Sequence, residues 1–467
     1  MFEFSIGSNK YSKIHFVGIG GISMSGLAEI LVSEGYKVTG SDSNNSLIIK
    51  RLKNLGIPIY LGHNAKNING VDLIIYTDAI PNDNPELNQG VKDNIPLVDR
   101  ATFLGALMKN YKNSIAVSGT HGKTTTTSML STILNPSSLN PTILLGGQLD
   151  EIGGNIKLGS KDFILTEACE YKGNILKYFP TMAIVLNIDE DHLDYFKSMD
   201  HIINTFVDYG RNLSKDDYLV INSDDPGAER VIKNTKAKII TFGFNKDSDY
   251  RVENVDFAEN GFSSYLLNIK NHGIYNIKLN VMGTHNIYNS VASIVAAHIH
   301  GITMEDIQKN ITRYKGVNRR LEYKGSYNGV KIIDDYAHHP TEIKATLDAL
   351  KNSTASNIYC VFQPHTYTRT KFLLNSFAES FKGAYKTIIT DIYAAREKDN
   401  GIVHSRDLKN AITNKGLDAI YLKTFKEIET YLKNNTKEND IIVTMGAGNI
   451  YLVGESILEK DKEKAAV

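Results

Sequence analysis

Tryptophan is absent from the sequence, and only two cysteines and ten prolines occur in 467 residues. Two cysteines are too few for a disulfide scaffold, and Cys169 and Cys360 lack the paired spacing of a metal motif, so reduced, buried thiols are expected. An excess of charge of one sign is missing as well: 52 Lys+Arg balance 52 Asp+Glu, for a formal net charge of zero. No global field therefore draws the chain to nucleic acid or an anionic membrane, and any phosphate binding must be local. No uninterrupted apolar run approaches the ~18–20 residues that span a bilayer. The opening MFEFSIGSNKYSK also lacks the basic-then-apolar order of a signal peptide. These absences predict a soluble cytoplasmic protein with no nucleic-acid or membrane partner. The charged end EKDKEKAAV is expected to fray.

What is present is alternation. Single cores stop growing near about 250–300 residues, so this length suits two or three domains. Short β-branched runs, each closed by a polar or glycine-rich cluster, alternate with amphipathic segments, which argues an α/β fold with largely parallel sheets. The first block has strands at IHFV (14–17), YKVTG (36–40), LIIY (73–76) and IPLV (95–98), with helices from about Leu27 to Ser33 and Ala101 to Met108. The second runs from SIAV (114–117) through FILT (163–166), AIVLN (183–187), YLVIN (218–222) and KIITF (238–242) to a β-rich patch. It ends in a buried helix within MGTHNIYNSVASIVAAHI. The third has VKIID (330–334), NIYCVF (357–362), KTIIT (386–390) and a last strand, DIIVTM, that flows into GAGN. The boundaries fall near 110 and 317, giving domains 1–110, 111–317 and 318–467. Ligands of open α/β sheets bind beyond the carboxyl ends of the strands, so the polar clusters there carry the function.

One cluster is IAVSGTHGKTTTTS, residues 115–128. It follows the P-loop pattern GxxxxGK[ST] except that Val117 holds the place of the first glycine. A strand, a turn GTHGK and a helix starting at Lys123 or Thr124 would aim backbone N–H groups at a phosphate. Gly119 and Gly122 would let the backbone wrap closely, Lys123 would neutralise charge, and the Thr124 hydroxyl would face Mg²⁺. The alternative is a glycine turn capped by threonine. Glu167, closing FILTE, could ligate the metal directly or through water. The next strand runs into NIDEDHLDYF, with Asn187, Asp189, Asp191, His192 and Asp194 beside it, and a solvated acidic loop is the alternative there.

The glycines of HFVGIGGISMSG fit a dinucleotide fingerprint at Gly18 and Gly20 but not at the third position, which is Ser23. Asp42, after the second strand, stands where an acid could meet a ribose. The stretch suits a nucleotide diphosphate and does not identify a nicotinamide cofactor.

Taken together, these motifs resemble the Mur ligase family, which builds the peptide of bacterial cell-wall precursors. GTHGKTTTT is similar to that family's own loop, GTxGK[ST]. GIGGISMSGLAEIL, GSDSN, GIPIYLGH, AIPNDNPEL, NIDEDHLDYF, GTHNIYNSVAS, GVNRRLE, DDYAHHPTE, FQPHTYTRT, DIYAAREK and MGAGNI follow in family order over nearly the whole chain. EACEY stands where EADES is frequent, YTDAI where a serine pair is common, and Thr366 where many relatives have arginine.

The resemblance implies an N-terminal Rossmann-like UDP-substrate domain, a central P-loop ATPase-like domain and a C-terminal Rossmann-like domain. It implies ATP and Mg²⁺, with UDP-N-acetylmuramate and L-alanine as small-molecule substrates, joined through an acyl phosphate, in a monomer or weak homodimer. Gly119, Thr120, His121, Gly122, Lys123, Thr124 and Thr125 would cradle the phosphates. Thr124 and Glu167 would hold one Mg²⁺ and His192 a second. Asn286 and Asn289 would face adenine, with Arg320 and Asp335 reaching the nucleotide. Tyr336, His338, His365 and Arg369 would line the amino-acid side. Gly18, Gly20, Gly21 and Ser23 would meet the uridine diphosphate, near Asp42 and His63. The competing readings are a recycling ligase that attaches a whole peptide to the same sugar nucleotide and a nicotinamide-dependent dehydrogenase.

Overall fold

Short β-branched runs become strands and the segments between them helices in the computed structural model, which describes residues 2–193, 195–352, 356–395 and 397–465. The chain divides into two compact units: Met1–Asp189, Asp200–Asp249 and Ala292–Ile307 form the first, and Glu190–Met199, Tyr250–Val291 and Gln308–Val467 the second.

The first unit opens with β1 (Lys13–Val17), α1 (Ile22–Ser33), β2 (Lys37–Asp42), α2 (Leu47–Asn54), β3 (Ile59–Leu61), β4 (Leu73–Tyr76), α3 (Pro85–Lys92), β5 (Leu97–Asp99) and α4 (Arg100–Met108). The strands make a parallel sheet in the order β3-β2-β1-β4-β5. Strand order reverses at β1, so the glycine turn after β1 and Thr77 after β4 share the crevice that such sheets offer to ligands. Helix α1 starts at Ile22, five residues before the expected Leu27. Its small residues let it lie close to the neighbouring sheet: a Cβ on Gly26 would come within 2.2 Å of Leu144 Cδ1.

A second sheet follows in the same unit. Its elements are β6 (Asn113–Ser118), α5 (Lys123–Leu134), β7 (Pro141–Leu149), β8 (Gly154–Lys157), β9 (Ser160–Glu167), β10 (Met182–Val185), α6 (Met199–Arg211), β11 (Tyr218–Asn222), α7 (Ala228–Ile232) and β12 (Lys238–Gly243). The strands run in the order β12-β11-β10-β6-β9-β7-β8, parallel except for β8, which pairs antiparallel with β7. Helix α5 is buried along nearly its whole length despite its threonines, because their hydroxyls bond back along the helix, as Thr127 does to the Lys123 carbonyl at 2.8 Å.

In the second unit an antiparallel meander of β13 (Tyr250–Phe257), β14 (Phe262–Ile269) and β15 (Gly273–Met282) accounts for the β-rich patch. Next along the chain are α8 (Thr284–Ile299) and α9 (Met304–Ile311), of which Ala292–Ile307 belongs to the first unit. The second unit continues with β16 (Glu322–Tyr327), β17 (Val330–Asp335), α10 (Pro340–Lys351), β18 (Ile358–Phe362), α11 (Tyr367–Phe372), α12 (Leu374–Ser380), β19 (Lys386–Ile389), α13 (Ser405–Asn414), β20 (Ala419–Tyr421), α14 (Phe425–Asn435), β21 (Ile441–Met445) and α15 (Tyr451–Ala465). Their sheet has the order β16-β17-β21-β18-β19-β20 and is parallel but for β16. Cores on its two faces gather Ile343, Leu347 and Phe377 on one side and Ile428, Val453 and Ile457 on the other. Helix α15 runs as far as Ala465 into the charged end, where Glu, Lys and Ala are strong helix formers; residues 466–467 lie outside the described ones. Among the described residues no helix is long and apolar enough to cross a membrane.

Candidate active site

Strands β9, β6 and β10 lie side by side, with Val117 opposite Glu167 and Ser118 opposite Val185. Three loops therefore emerge together at their carboxyl ends. In the first, Gly119 and Gly122 have φ of +132° and +84°, a region that penalises any side chain. A Cβ on Gly119 would also lie 3.0 Å from Leu186 Cβ and 3.1 Å from the Asn187 nitrogen. Gly122 caps α5 with no side-chain bond, so the helix begins at Lys123, as expected from sequence.

The loop is braced by the exit of β10. Asn187 accepts from the His121 N–H at 2.8 Å and donates to the His121 carbonyl at 3.1 Å, while its own carbonyl accepts from the Thr120 N–H at 3.1 Å. The Asp189 N–H donates to Thr120 Oγ1 at 2.9 Å, and His121 Nε2 lies 3.1 Å from Asp189 Oδ2. Lys123 Nζ donates to the Thr120 carbonyl at 2.9 Å and to Glu170 Oε2 at 3.1 Å. Burial alone would weaken that ammonium, but the Glu170 carboxylate more than offsets it and keeps Lys123 charged. The Thr124 hydroxyl donates to Glu167 Oε2 at 3.0 Å, and Glu167 Oε1 accepts from the Gly146 N–H at 2.6 Å. A hydroxyl and a carboxylate so close together form a hard-oxygen pair of the kind Mg²⁺ prefers.

In the first sheet Gly18 has φ +83°, and the Gly20 N–H donates to Asp42 Oδ2 at 2.9 Å. Asp42, expected near a ribose, thus holds the glycine turn, accepting also from the Asn44 N–H at 3.0 Å. Ser23 is the second residue of α1 and Gly21 its cap. His63 sits with Nδ1 2.9 Å from Oε2 of the buried Glu86, which also accepts from Ser41 Oγ at 2.6 Å and Asn67 Nδ2 at 2.6 Å. Burial would raise the Glu86 carboxyl, but hydrogen bonds from His15, Ser41, Asn67 and His63 hold it at about 2. Glu86 is thus a buried anion that fixes His63; it lies within AIPNDNPEL, where sequence alone assigned it no role.

In the second unit the ends of β17 and β18 flank β21, with Asp335 and Phe362 each opposite Met445. Asp335 accepts from the N–H groups of Leu321 and Ala337, each at 2.7 Å, and burial raises its carboxyl to about 6. Of the arginine pair in GVNRRLE, Arg319 is fully engaged, donating to Asp334 Oδ2 at 2.9 Å and to the carbonyls of Gly446 and Gly448 at 2.6 and 3.0 Å. Arg320 lies 3.6 Å from Glu342 and 5.2 Å from the centre of the Tyr336 ring.

Around them Tyr336, His338, His365 and Arg369 come together. The His338 ring centre is 5.4 Å from that of Tyr336 and 5.5 Å from that of His365, and Arg369 Nη1 is 3.2 Å from His365 Nδ1. Arg369 Nη2 donates to Asp191 Oδ1 at 2.9 Å. Burial would raise the Asp191 carboxyl, but the charges of His192 and Arg369 pull it far below the usual range. The His192 N–H donates to that same carboxylate at 2.6 Å, with φ +54° at His192. Burial pushes His338 down to about 4. His339 caps α10, its Nδ1 accepting from the Thr341 N–H at 3.3 Å, so Nε2 carries the proton and donates to the Glu190 carbonyl at 2.8 Å.

Asn286 donates to the Met282 carbonyl at 2.7 Å, and Asn289 donates to Asn286 Oδ1 at 3.0 Å, both buried at the start of α8. The loop expected either to serve the site or to be a solvated acidic loop is thus a bracing one: Asn187 and Asp189 tie down the phosphate loop, and Asp191 pairs with Arg369. Asp194 lies outside the described residues. Glu170, in the EACEY motif, was within reach of sequence reasoning as the counter-ion of Lys123; nothing in the sequence indicated Glu86 or the Asp191–Arg369 pair.

Family models match along the chain: the Mur ligase family catalytic domain at residues 13–112, the Mur ligase middle domain at 117–297 and the Mur ligase glutamate ligase domain at 319–448. A UDP-N-acetylmuramate--L-alanine ligase of Acetivibrio thermocellus is 52% identical over 460 residues, covering 98% of each chain. One of Clostridium acetobutylicum is 50% identical over 458 residues, covering 98% of this chain and 100% of the relative. Among solved structures, a UDP-N-acetylmuramate-alanine ligase of Thermotoga maritima superposes with a TM-score of 0.81 at 28% identity, covering 97% of this chain and 99% of that one. A murein peptide ligase of Psychrobacter arcticus, at 24% identity and a TM-score of 0.70 over 96% of this chain and 98% of that one, shares the fold.

Proposed function

We infer the reaction from one premise: the chain belongs to the Mur ligase family. It is an ATP-dependent ligase that joins L-alanine to the lactyl carboxylate of UDP-N-acetylmuramate, giving UDP-N-acetylmuramoyl-L-alanine, ADP and phosphate, a step of peptidoglycan precursor synthesis in the cytoplasm. Relatives of that name near 50% identity over full length support this specificity. The peptide-recycling reading has only a fold likeness behind it. The dehydrogenase reading would leave the phosphate loop without a role. We take the domains as 1–110, 111–317 and 318–467, in keeping with the three sheets.

The observation that carries the proposal is the phosphate loop with Lys123 beside Glu170 and Thr124 bonded to Glu167. A carboxylate does not accept an amine unaided, because oxide is a very poor leaving group. Transfer of the γ-phosphate to the lactyl carboxylate makes an acyl phosphate; the alanine amine then attacks it and phosphate departs. Residues Gly119 to Thr125 cradle the phosphates, and the Lys123 ammonium offsets charge on the transferring group. Thr124 and Glu167 would hold one Mg²⁺ and His192 a second, and bound there the ion would neutralise phosphate charge. Asn286, Asn289, Arg320 and Asp335 serve the ATP side. Gly18, Gly20, Gly21, Ser23, Asp42 and His63 serve the uridine diphosphate. Arg369, Tyr336 and His365 serve the amino-acid side. His338, held near 4, is neutral at neutral pH and too weak a base to take the ammonium proton, so we assign it a part in orientation.

The test is ADP release measured with UDP-N-acetylmuramate and each amino acid in turn, with and without Mg²⁺. L-Alanine is expected to stimulate it, and no stimulation would sink the assignment. Lys123→Ala should lower turnover at least a hundredfold; near-normal turnover would remove the proposed mechanism.

A further inference from the structure

DIYAAREK takes no direct part in the ligation chemistry, yet its Glu397 reaches the start of α11, the short helix that bears Arg369. Glu397 Oε2 accepts from the Tyr367 N–H at 2.7 Å and the Thr368 N–H at 3.0 Å, and Oε1 accepts from the Thr368 hydroxyl. The first N–H groups of a helix have no partner within it, so a carboxylate that takes two of them fixes where the helix begins.

The turn leading into α11 needs that support. Thr366 has φ +65°, a left-handed conformation that is costly for a β-branched residue. It is held there by three bonds: its N–H donates to the Tyr393 carbonyl at 2.9 Å, its carbonyl accepts from the Thr370 hydroxyl at 2.7 Å, and its hydroxyl accepts from the Arg369 N–H at 3.4 Å. Tyr393 also donates its N–H to the Pro364 carbonyl at 2.8 Å, and its ring stacks on His365 with centres 5.9 Å apart. The Tyr393 backbone therefore braces the turn on its entry side and the Glu397 side chain on its exit side.

The braced turn aims two groups. A guanidinium only donates, so Arg369 Nη1, 3.2 Å away, makes His365 Nδ1 an acceptor and leaves the proton of the neutral ring on Nε2. Arg369 Nη2 and Nε meet Asp191 Oδ1 at 2.9 and 3.3 Å. Arg369 is the third residue of α11, so both contacts depend on where that helix starts.

We propose that Glu397 is a positioning residue for the ligation: by tying down the first turn of α11 it holds Arg369 and His365 in the geometry that receives the amino acid. Glu397 acts through Arg369. The proposal rests on the ligase reading for the part given to Arg369 and His365.

The experiment compares the full-length wild type, Glu397→Ala and Glu397→Gln by steady-state kinetics, thermal melting and nitrogen-15 spectra of the histidine rings without substrate. Glutamine can keep all three contacts, its oxygen accepting from the two N–H groups and its amide donating to the Thr368 hydroxyl oxygen, so every KM should stay within twofold of wild type. Glu397→Ala should raise the KM for L-alanine at least tenfold, leave those for ATP and UDP-N-acetylmuramate within twofold, and shift the His365 Nδ1 resonance as Arg369 moves off it. Thr368→Val, which removes only the hydroxyl contact, should raise the KM for L-alanine about threefold. It carries the test if the alanine variant does not fold, an unchanged KM then overturning the proposal. In Glu397→Ala, a KM for L-alanine within twofold of wild type or an unmoved His365 resonance overturns it. So does a parallel rise of all three KM values with a lower Tm, the mark of a helix cap alone. A glutamine variant as impaired as alanine overturns it too, since charge rather than geometry would then be the cause. If L-alanine fails to stimulate ADP release in the wild type, the ligase reading falls instead, and the His365 resonance still decides Glu397.

Discussion

At the scale of residues, the site depends on backbone positions that only glycine tolerates and on charges that only their partners make acceptable. Gly119 combines φ +132° with a crowded Cβ position against Leu186 and Asn187. Gly119→Ala should cost about 1–3 kcal/mol in urea unfolding and raise the KM for ATP at least tenfold, because Asn187 braces the same loop. A wild-type KM in that variant would show that the turn has slack. Asp191 and Arg369 are only 10% and 12% exposed, so Asp191→Ala leaves a nearly buried guanidinium without its anion. Breaking such a pair costs about 3–5 kcal/mol, and adding Arg369→Met should recover much of that loss. Equal unfolding midpoints for Asp191→Ala and wild type would contradict the pairing. GTHGK was readable because glycine, lysine and threonine in order at a strand-to-helix joint leave few other uses. Glu86 was not, because a glutamate in PELNQ reads as an exposed helix residue until Ser41, His63 and Asn67 are brought around it.

At the scale of elements, strands that end at functional loops were the most legible. LIIY and YLVIN occupy β4 and β11 residue for residue, since a run of β-branched and aromatic residues bounded by polar ones admits little else. Helix starts in glycine-rich segments were less so: GISMSG read as a loop and is the first part of α1, because its small residues serve close packing against β7. The same logic makes α4 a sensitive element. A Cβ on Gly105 would fall 1.9 Å from the Lys177 carbonyl oxygen, a backbone atom that cannot swing aside. Gly105→Ala should therefore push α4 off the 171–177 turn and destabilise by about 1–3 kcal/mol. An unchanged Tm would show the helix able to shift freely.

At the scale of the whole molecule, the perturbed groups set how stability follows pH. His285 and His338 are both pushed by burial to about 4 from 6.5, so the fold keeps them neutral where the unfolded chain binds protons. Their contribution is present above about 6.5 and is lost as pH falls toward 4. Asp335, raised by burial to about 6 from 3.8, acts in the opposite sense: its contribution is present below 3.8 and is lost as pH rises through about 6. Near pH 5 these two histidines outweigh Asp335 by about one proton, which by itself makes stability climb with pH by on the order of 1.4 kcal/mol per unit; the carboxyls of Asp225, Asp334 and Glu29, raised by burial, work against that slope, and His300, lowered by burial, works with it. Asp191, held far below its usual range, adds a loss only in stronger acid. Urea midpoints at pH 4.5, 5.5 and 6.5 test this; a flat series would mean these groups titrate normally in the fold.

The sequence by itself determined the α/β class, the order of motifs and the phosphate loop, because each rests on local pattern: short β-branched apolar runs, glycines at a strand exit, a lysine and threonine at a helix start. The tertiary structure alone decided which charges meet. Arg319 rather than Arg320 is locked by backbone carbonyls, Asp42 and Asp335 hold turns through N–H groups, and His338 is neutral because it is buried. Such outcomes depend on burial and on partners far away in the chain, and one-dimensional spacing encodes neither.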